Sequence, residues 1–147
     1  MTPDPVSYTD LQSLTDRFGQ RLLIELTERA DVATGVVDTA VINAAIADTD
    51  ALIDGYVARR YALPMATVPP LIKSLALDIA IYKRHVYSPS DKIAEDYKAA
   101  IRSLEGISAG SVRLPIAGQE TPGSGSSGAR VTDRARPMTA ANLKGFI

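Results

Sequence analysis

The polar residues of this chain offer few candidates for chemistry. His85 is the only histidine and there are no cysteines, which excludes thiolate nucleophiles, thiolate metal sites and sites with two imidazole ligands. His85 follows Lys83 and Arg84 late in a predicted helix, where a lone histidine is usually a surface or cap residue rather than a catalytic base. We therefore predict neither a catalytic residue nor a metal site here.

Three aspartates form the nearest approach to a carboxylate cluster. On a helix, Asp50 and Asp54 share one face while Asp48 points away from both. They lack the glycine and the bidentate glutamate of a calcium loop, so a solvated helix face is the favoured interpretation. The glycine-rich run at residues 123–128 has no strand before it and no lysine after it, so it is not a phosphate loop. We predict that the protein is not an enzyme and binds no cofactor.

Basic residues suggest binding instead, in two different settings. The pairs Arg59–Arg60 and Lys83–Arg84 are interpreted first as helix ends whose charge suits the helix dipole. Contact with an acidic neighbour or with nucleic acid is the alternative. Near the C-terminus the basic residues lie in a segment with no helical pattern, and apolar residues follow them, which favours an interface. The residues of this segment are Arg130, Arg134, Arg136, Met138, Leu143, Phe146 and Ile147.

The elements that position these residues are helices. Apolar residues recur at steps of three and four along five stretches, the period of a helix with one buried face. The sequence predicts an all-α fold, a small bundle of about five helices followed by an extended C-terminal arm. The predicted helices run from a Thr9 cap to about Phe18, from Gln20 to about Arg29, from an Asp38 cap to near Tyr61, from Pro69–Pro70 through Val86, and from a Ser88 cap to Gly106–Gly110.

One glycine interrupts the third predicted helix. Gly55 costs about 1 kcal/mol relative to alanine in a helix interior. We interpret it as a position where a neighbouring backbone approaches closely.

Composition and charge divide the 147 residues into three parts. Residues 1–117 carry 12 Lys/Arg and 15 Asp/Glu, a net charge of −3, whereas residues 118–147 carry four and two, a net charge of +2. Residues 118–128 are a flexible linker by composition. We predict a helical body at 1–117, this linker, and a docking arm at 129–147. The first ten residues lack the apolar region of a signal peptide and no apolar run could span a membrane, so we expect a cytoplasmic product unless it leaves within a larger object.

Several short motifs, taken in order, resemble a known family. The segment Ile53 to Met65, with Arg60-Tyr61-Ala62-Leu63-Pro64 at its centre, resembles the helix-end signature of the Mu-like phage and prophage head–tail connectors. Weaker likenesses lie on both sides of it, and together they cover about residues 7–115. They are Tyr8-Thr9-Asp10-Leu11, Arg17-Phe18-Gly19 before Leu26-Thr27, Val68-Pro69-Pro70-Leu71, Asp78 to Tyr82, and Asp96 to Ile101 with Leu104 and Gly110. Asp96 departs from the pattern, where a basic residue is expected.

The resemblance implies a structural role without catalytic residues. Such proteins form a ring, commonly twelve-fold, that bridges the portal of the capsid to the next tail-side component and lines the DNA channel. It implies a small helical bundle, assembly in the host cytoplasm, a place at the neck of the virion, no membrane contact, and passage of DNA without sequence-specific binding. We predict partner contacts at Arg59, Arg60 and Tyr61 and at the basic and apolar residues of the arm.

A second hypothesis is a small helical regulator or nucleic-acid-binding module, with the arm as a basic tether. The body carries −3 and the arm has only four basic residues, which is too few for tight binding to nucleic acid at physiological salt. An enzyme is the third hypothesis, and it has no candidate constellation.

Overall fold

The computed structural model describes residues 6–29 and 31–116. The described chain contains five α-helices, α1 to α5, which confirms the predicted all-α bundle. Their bounds are Leu11–Phe18, Gln20–Thr27, Thr39–Val57, Pro70–Arg84 and Asp91–Ala109. The division into body, linker and arm stays a prediction, because residues 117–147 lie outside the described residues. None of the described helices is long and apolar enough to cross a membrane.

Two of the predicted helix starts are shifted by one or two residues. Asp10, not Thr9, caps α1, since its side chain accepts a hydrogen bond from the Ser13 amide. Ser90, not Ser88, caps α5. Asp38 caps α3 as predicted, accepting from the amides of the first turn. In these three helices the oxygen of a short side chain accepts a hydrogen bond from an amide group that the first turn leaves unpaired, whereas α2 and α4 have no side-chain cap.

The end of α3 differs from the predicted one. The helix ends at Val57 rather than near Tyr61, and a turn follows in which the Tyr61 amide donates to the Val57 carbonyl at 3.0 Å. The peptide bond between Leu63 and Pro64 is cis.

Gly55 is exposed, and no atom outside the backbone of its own helix lies within 4 Å of where its Cβ would be. The predicted close approach of a neighbouring backbone is therefore wrong within the described chain.

The main core lies between α3, α4 and α5, each of which contacts the other two. Most of the side chains that fill it are aliphatic, as expected for a chain with few aromatics, although Tyr8 and Tyr61 are buried in it as well. The rings of Tyr82 of α4 and Tyr97 of α5 are stacked, with centroids 3.9 Å apart. Its buried members include Ile53, Val57, Ile72, Ala76, Ile79, Ala100, Leu104 and Ile107.

A second core joins the short helices α1 and α2 to the outer halves of α3 and α4. Its buried members are Leu14, Leu23, Ile42, Ile46, Ala80 and Ile81. An ion pair reinforces the contact, with Arg17 Nη2 2.9 Å from a carboxylate oxygen of Asp78. Burial raises the pKa of Asp78, and Arg17 opposes that shift. Helices as short as α1 and α2 are marginal by themselves, so this packing is what keeps them helical.

Candidate interaction surfaces

The turn after α3 is joined to the end of α5. Arg60 Nη1 donates a hydrogen bond to the Ala109 carbonyl at 3.0 Å. The guanidinium lies against Gly110, which ends α5 in the left-handed conformation with a φ of 84°. A cation at this position also suits the negative end of the α5 dipole. Arg60 therefore caps a helix of its own subunit, whatever else it contacts.

Tyr61 fixes the base of the C-terminal segment. Its side chain is 3% exposed, and its hydroxyl accepts a hydrogen bond from the Leu114 amide at 3.0 Å. Leu114 is itself buried in the main core. This contact gives the chain after α5 a defined point of departure from the body.

The predicted partner residues are thus placed differently. Arg59 is exposed, Arg60 is half-buried, and Tyr61 is buried inside the subunit. A partner can contact Arg59 directly. Tyr61 could influence partner binding only indirectly, by positioning the segment at 111–116. The other predicted contacts lie outside the described residues: Arg130, Arg134, Arg136, Met138, Leu143, Phe146 and Ile147. All of these partner contacts stay predictions.

Two of the three aspartates bind the N-terminal segment rather than water. The Tyr8 amide donates to Asp50 Oδ1 at 3.0 Å, and the Tyr8 hydroxyl donates to Asp54. The prediction of a solvated face was therefore wrong for both carboxylates and holds for Asp48, which is exposed. Burial, followed by the hydrogen bond to Asp54, raises the pKa of Tyr8 well above its usual range. Burial also raises the pKa of Asp50, against the opposing effect of the Tyr8 amide.

We expect Asp50→Asn to raise the melting temperature at pH 7. An elevated pKa in the folded state means that the folded chain binds the Asp50 proton more tightly than the unfolded chain. The free energy of unfolding therefore falls as the pH rises from about 3.9 through that elevated pKa, and it remains lower at neutral pH. Asparagine removes this penalty and keeps an oxygen that accepts from the Tyr8 amide.

The check is thermal unfolding at pH 7 and at pH 3.5 or below. The stabilisation should shrink at the lower pH, because protonation then neutralises the Asp50 carboxylate in the unmodified chain as well. Asp48→Asn, at the exposed position on the same helix, is the matched control and should leave the melting temperature unchanged. A lower melting temperature for Asp50→Asn at pH 7 would show that the ionised carboxylate is the favoured partner of Tyr8.

The basic pair at the end of α4 contacts the backbone of α3. Lys83 Nζ donates to the Asp48 carbonyl at 3.0 Å and Arg84 Nη1 donates to the Val41 carbonyl at 3.1 Å. Both residues lie in the last turn of α4, which confirms the interpretation as a helix end. His85 is the C-cap residue of α4, and its Nδ1 lies 2.8 Å from the Ile81 carbonyl. It is a cap residue, as expected.

A groove opens where α2 ends beside the connection between α4 and α5. Its volume is about 510 Å³, within the range of ~300–1,000 Å³ common for binding pockets. Val86 is 66% exposed and Tyr87 is 88% exposed. We call this the α2–α4 groove; it is lined by Glu25, Leu26, Glu28, Arg29, His85, Val86 and Tyr87. No prediction from the sequence pointed to this groove, although Val86 and Tyr87, two apolar residues just after a helix end, were a usable signal.

The described residues contain no group of three or more His, Cys, Asp or Glu side chains that could hold a metal ion. The polar groups considered for chemistry are engaged within the fold, in the contacts of Asp50, Asp54 and His85.

Comparison with known proteins places the chain among phage proteins. The sequence model of the family described as Bacteriophage Mu, Gp36 matches residues 8–133, most of the 147-residue chain. The chain belongs to the bacteriophage Mu Gp36 family. The matched region includes the whole described body from Tyr8 onward, and it extends past the predicted linker into the basic residues of the arm.

Two relatives show how far the Gp36 likeness extends. Gene product J of Escherichia phage Mu is 32% identical over 102 residues, which cover 69% of this chain and 72% of that protein. The Mu-like prophage FluMu protein gp36 of Haemophilus influenzae is 27% identical over 142 residues, covering 97% and 99% of the two chains. The second alignment includes the C-terminal segment, so the Gp36 likeness is not confined to the helical body. These matches confirm the expected origin among Mu-like phages.

Proposed function

We propose that this Gp36-family protein is a structural head–tail connector subunit. In this role it forms a ring, twelve-fold as the resemblance implies, between the portal and the next tail-side component at the neck of the virion. The observation that carries the proposal is the anchored base of the C-terminal segment, where the Tyr61 hydroxyl accepts from the Leu114 amide. This contact supports the proposal because it gives the chain after α5 a fixed point of departure, as a body with a second, tethered binding element would need.

The ring requires two different surfaces on each subunit. A contact that closes a ring joins unlike patches of neighbouring copies, and a tethered segment supplies a patch that is separate from the body. The tether also makes the contact effectively intramolecular once the body is docked, which raises its local concentration. The helical body contributes the other surface. Arg59 is exposed in the turn after α3, at the end of the subunit where the C-terminal segment begins.

Charge and site chemistry fit the same role. Residues 1–117 carry a net charge of −3, which suits a channel through which DNA passes without being held. The carboxylates that resembled a catalytic cluster are hydrogen-bonded to Tyr8 and support the fold. The hydrogen bonds that these polar groups make within the fold therefore fit a role without catalysis.

The proposal is tested by measuring mass with light scattering, for the purified protein alone and mixed with the portal protein of a Mu-like phage. We expect a large ring or a stoichiometric portal complex. A monomer that ignores the portal and binds DNA in a salt-sensitive way would contradict the proposal and favour the nucleic-acid-binding alternative.

A charge reversal tests the body's contribution. Arg59→Glu should weaken the ring or portal complex about tenfold or more. Arg102→Glu is the matched control, because Arg102 is an exposed arginine of α5 outside the predicted contact motif. Equal losses for both variants would mean that net charge, rather than a contact at Arg59, controls assembly.

A further inference from the structure

The α2–α4 groove has the composition of a docking site for a peptide segment. Leu26, Val86 and Tyr87 give it an apolar lining, and its charged lining residues are Glu25, Glu28 and Arg29, a net charge of −1. Glu25 also forms an exposed ion pair with Arg21 of the same helix, at 3.2 Å. Two large apolar side chains left in water beside one cavity are unusual unless something covers them. The groove is therefore suited to a partner that carries both apolar side chains and positive charge.

A neighbouring loop enlarges this apolar region. Glu28 accepts hydrogen bonds from the Thr34 amide and, at 3.3 Å, from the Gly35 amide. These bonds fasten the loop between α2 and α3 to the groove wall. The loop carries two more exposed valines, Val32 and Val36. The apolar surface at this end of the subunit thus continues beyond the groove itself.

The C-terminal segment has the complementary chemistry. Residues 130–136 contain three arginines and one aspartate, and four large apolar residues follow between 138 and 147. Its arginines can pair with Glu25, in competition with the exposed ion pair to Arg21, and its apolar residues can cover Val86 and Tyr87. Arginine pairs with carboxylates through two parallel hydrogen bonds, so this pairing also fixes orientation.

The groove and the origin of the segment lie at opposite ends of α4. Pro115 and Ile116 lie beside Pro69 and Pro70 at the start of α4, whereas the groove lies beyond its last residue, Arg84. The 15 residues of α4 span ~22 Å. Because α1, α3 and α5 pack around α4, a chain returning to its own groove would have to pass outside those helices.

We propose that the α2–α4 groove binds residues 129–147 of a second copy of this chain. Each copy then gives a segment at one end of α4 and receives one at the other, which is a contact between unlike surfaces. The 11-residue linker at 118–128 reaches up to ~36–40 Å when extended, which is enough to cross a subunit boundary. The inference rests on the ring of the proposed function and names a contact within it.

The test uses disulfide trapping, for which the chain is suited because it has no cysteine. The variants Tyr87→Cys and Phe146→Cys are purified separately, mixed and oxidised mildly. We expect a covalent dimer that contains one copy of each variant. The matched control replaces Tyr87→Cys with Glu105→Cys, at an exposed position of α5 outside the groove, and should trap at least about tenfold less.

The double variant Tyr87→Cys/Phe146→Cys separates the two possible sources of the segment. Docking between copies gives a ladder of covalent oligomers on a non-reducing gel. A monomer with an internal disulfide would show that the segment returns to its own groove, and it would overturn the proposal, as would trapping no faster than in the control. Tyr87 is 88% exposed, so folding should survive, and circular dichroism checks this.

A charge variant provides the second arm of the test. Glu25→Lys should slow trapping several-fold, since it replaces a carboxylate of the groove that does not hold the loop. Unchanged trapping would contradict the role of the carboxylates. Because these measurements omit the portal, they can fail while light scattering still detects a portal complex, so failure of this contact and failure of the connector role are distinguishable.

Discussion

Removal of residues 129–147 is expected to leave the melting temperature within about 3 °C of the full chain and to weaken the portal or ring complex at least roughly tenfold. The buried residues of both described cores lie between Tyr8 and Leu114, and the partly buried residues packed on them extend only from Val6 to Ile116, so the truncated chain keeps both cores. The lost segment is the one that carries three arginines and the terminal apolar residues. Its loss should therefore affect assembly without affecting the fold.

Circular dichroism and light scattering on the same preparations provide the measurement. A deeper truncation after Ala109 is the matched comparison. It removes the buried Leu114 and the amide that donates to Tyr61, and we expect it to cost about 2–4 kcal/mol of unfolding free energy. If the shorter truncation already abolished cooperative melting, the arm would be part of the core and the predicted division of the chain would be wrong.

Gly110→Ala is expected to lower the free energy of unfolding by about 2–3 kcal/mol, through two effects. An L-residue with a φ of 84° pays roughly 1–2 kcal/mol for the left-handed conformation. The new Cβ would also lie only 2.0 Å from Arg60 Nη1, so the guanidinium must move and its hydrogen bond to the Ala109 carbonyl is lost. The melting temperature should fall by roughly 8–15 °C.

Gly55→Ala is the control for this prediction, because it makes the same substitution where neither effect applies. Gly55 lies in α3, and nothing is within 4 Å of the added Cβ. Alanine is favoured over glycine in a helix interior by about 1 kcal/mol, so this variant should melt at a slightly higher temperature. Denaturant titration of both variants tests the pair. A destabilising Gly55→Ala or a neutral Gly110→Ala would show that the packing described around these glycines is incorrect.

The sequence predicted the number and order of the helices because their apolar periodicity is strong and local. It was less accurate where two adjacent residues compete for one role. Thr9 and Asp10 are both good cap residues, and only the geometry of the first turn shows that Asp10 accepts from Ser13. The end of α3 is a similar case. The turn after Val57 keeps a hydrogen bond to the last helical residue, and a turn of this kind is hard to tell from a further helical turn by sequence pattern alone.

The functions of Asp50 and Asp54 could not be predicted from local pattern. Their partner, Tyr8, lies more than 40 residues earlier in the chain, and helical periodicity reports only which side chains share a face. The same limit applies to the contact of Tyr61, whose hydroxyl accepts from the amide of Leu114, 53 residues later in the chain. The α2–α4 groove is formed by residues from α2 and from the connection after α4. Because these are far apart in the chain, no pattern within one stretch of the sequence could predict it.

The division of the hydrophobic interior into two clusters has a consequence for how the subunit opens. Ile42 and Ile46 of α3 belong to the smaller cluster, while Ile53 and Val57 of the same helix belong to the larger one. We therefore expect the end held by short helices, which includes the groove, to have the lower free energy of local unfolding, and the end that anchors the C-terminal segment to have the higher one. In the ring that we propose, such a subunit would be rigid where it gives its segment and deformable where it receives one. Neighbouring copies would then be able to join at slightly different angles without loss of the main core.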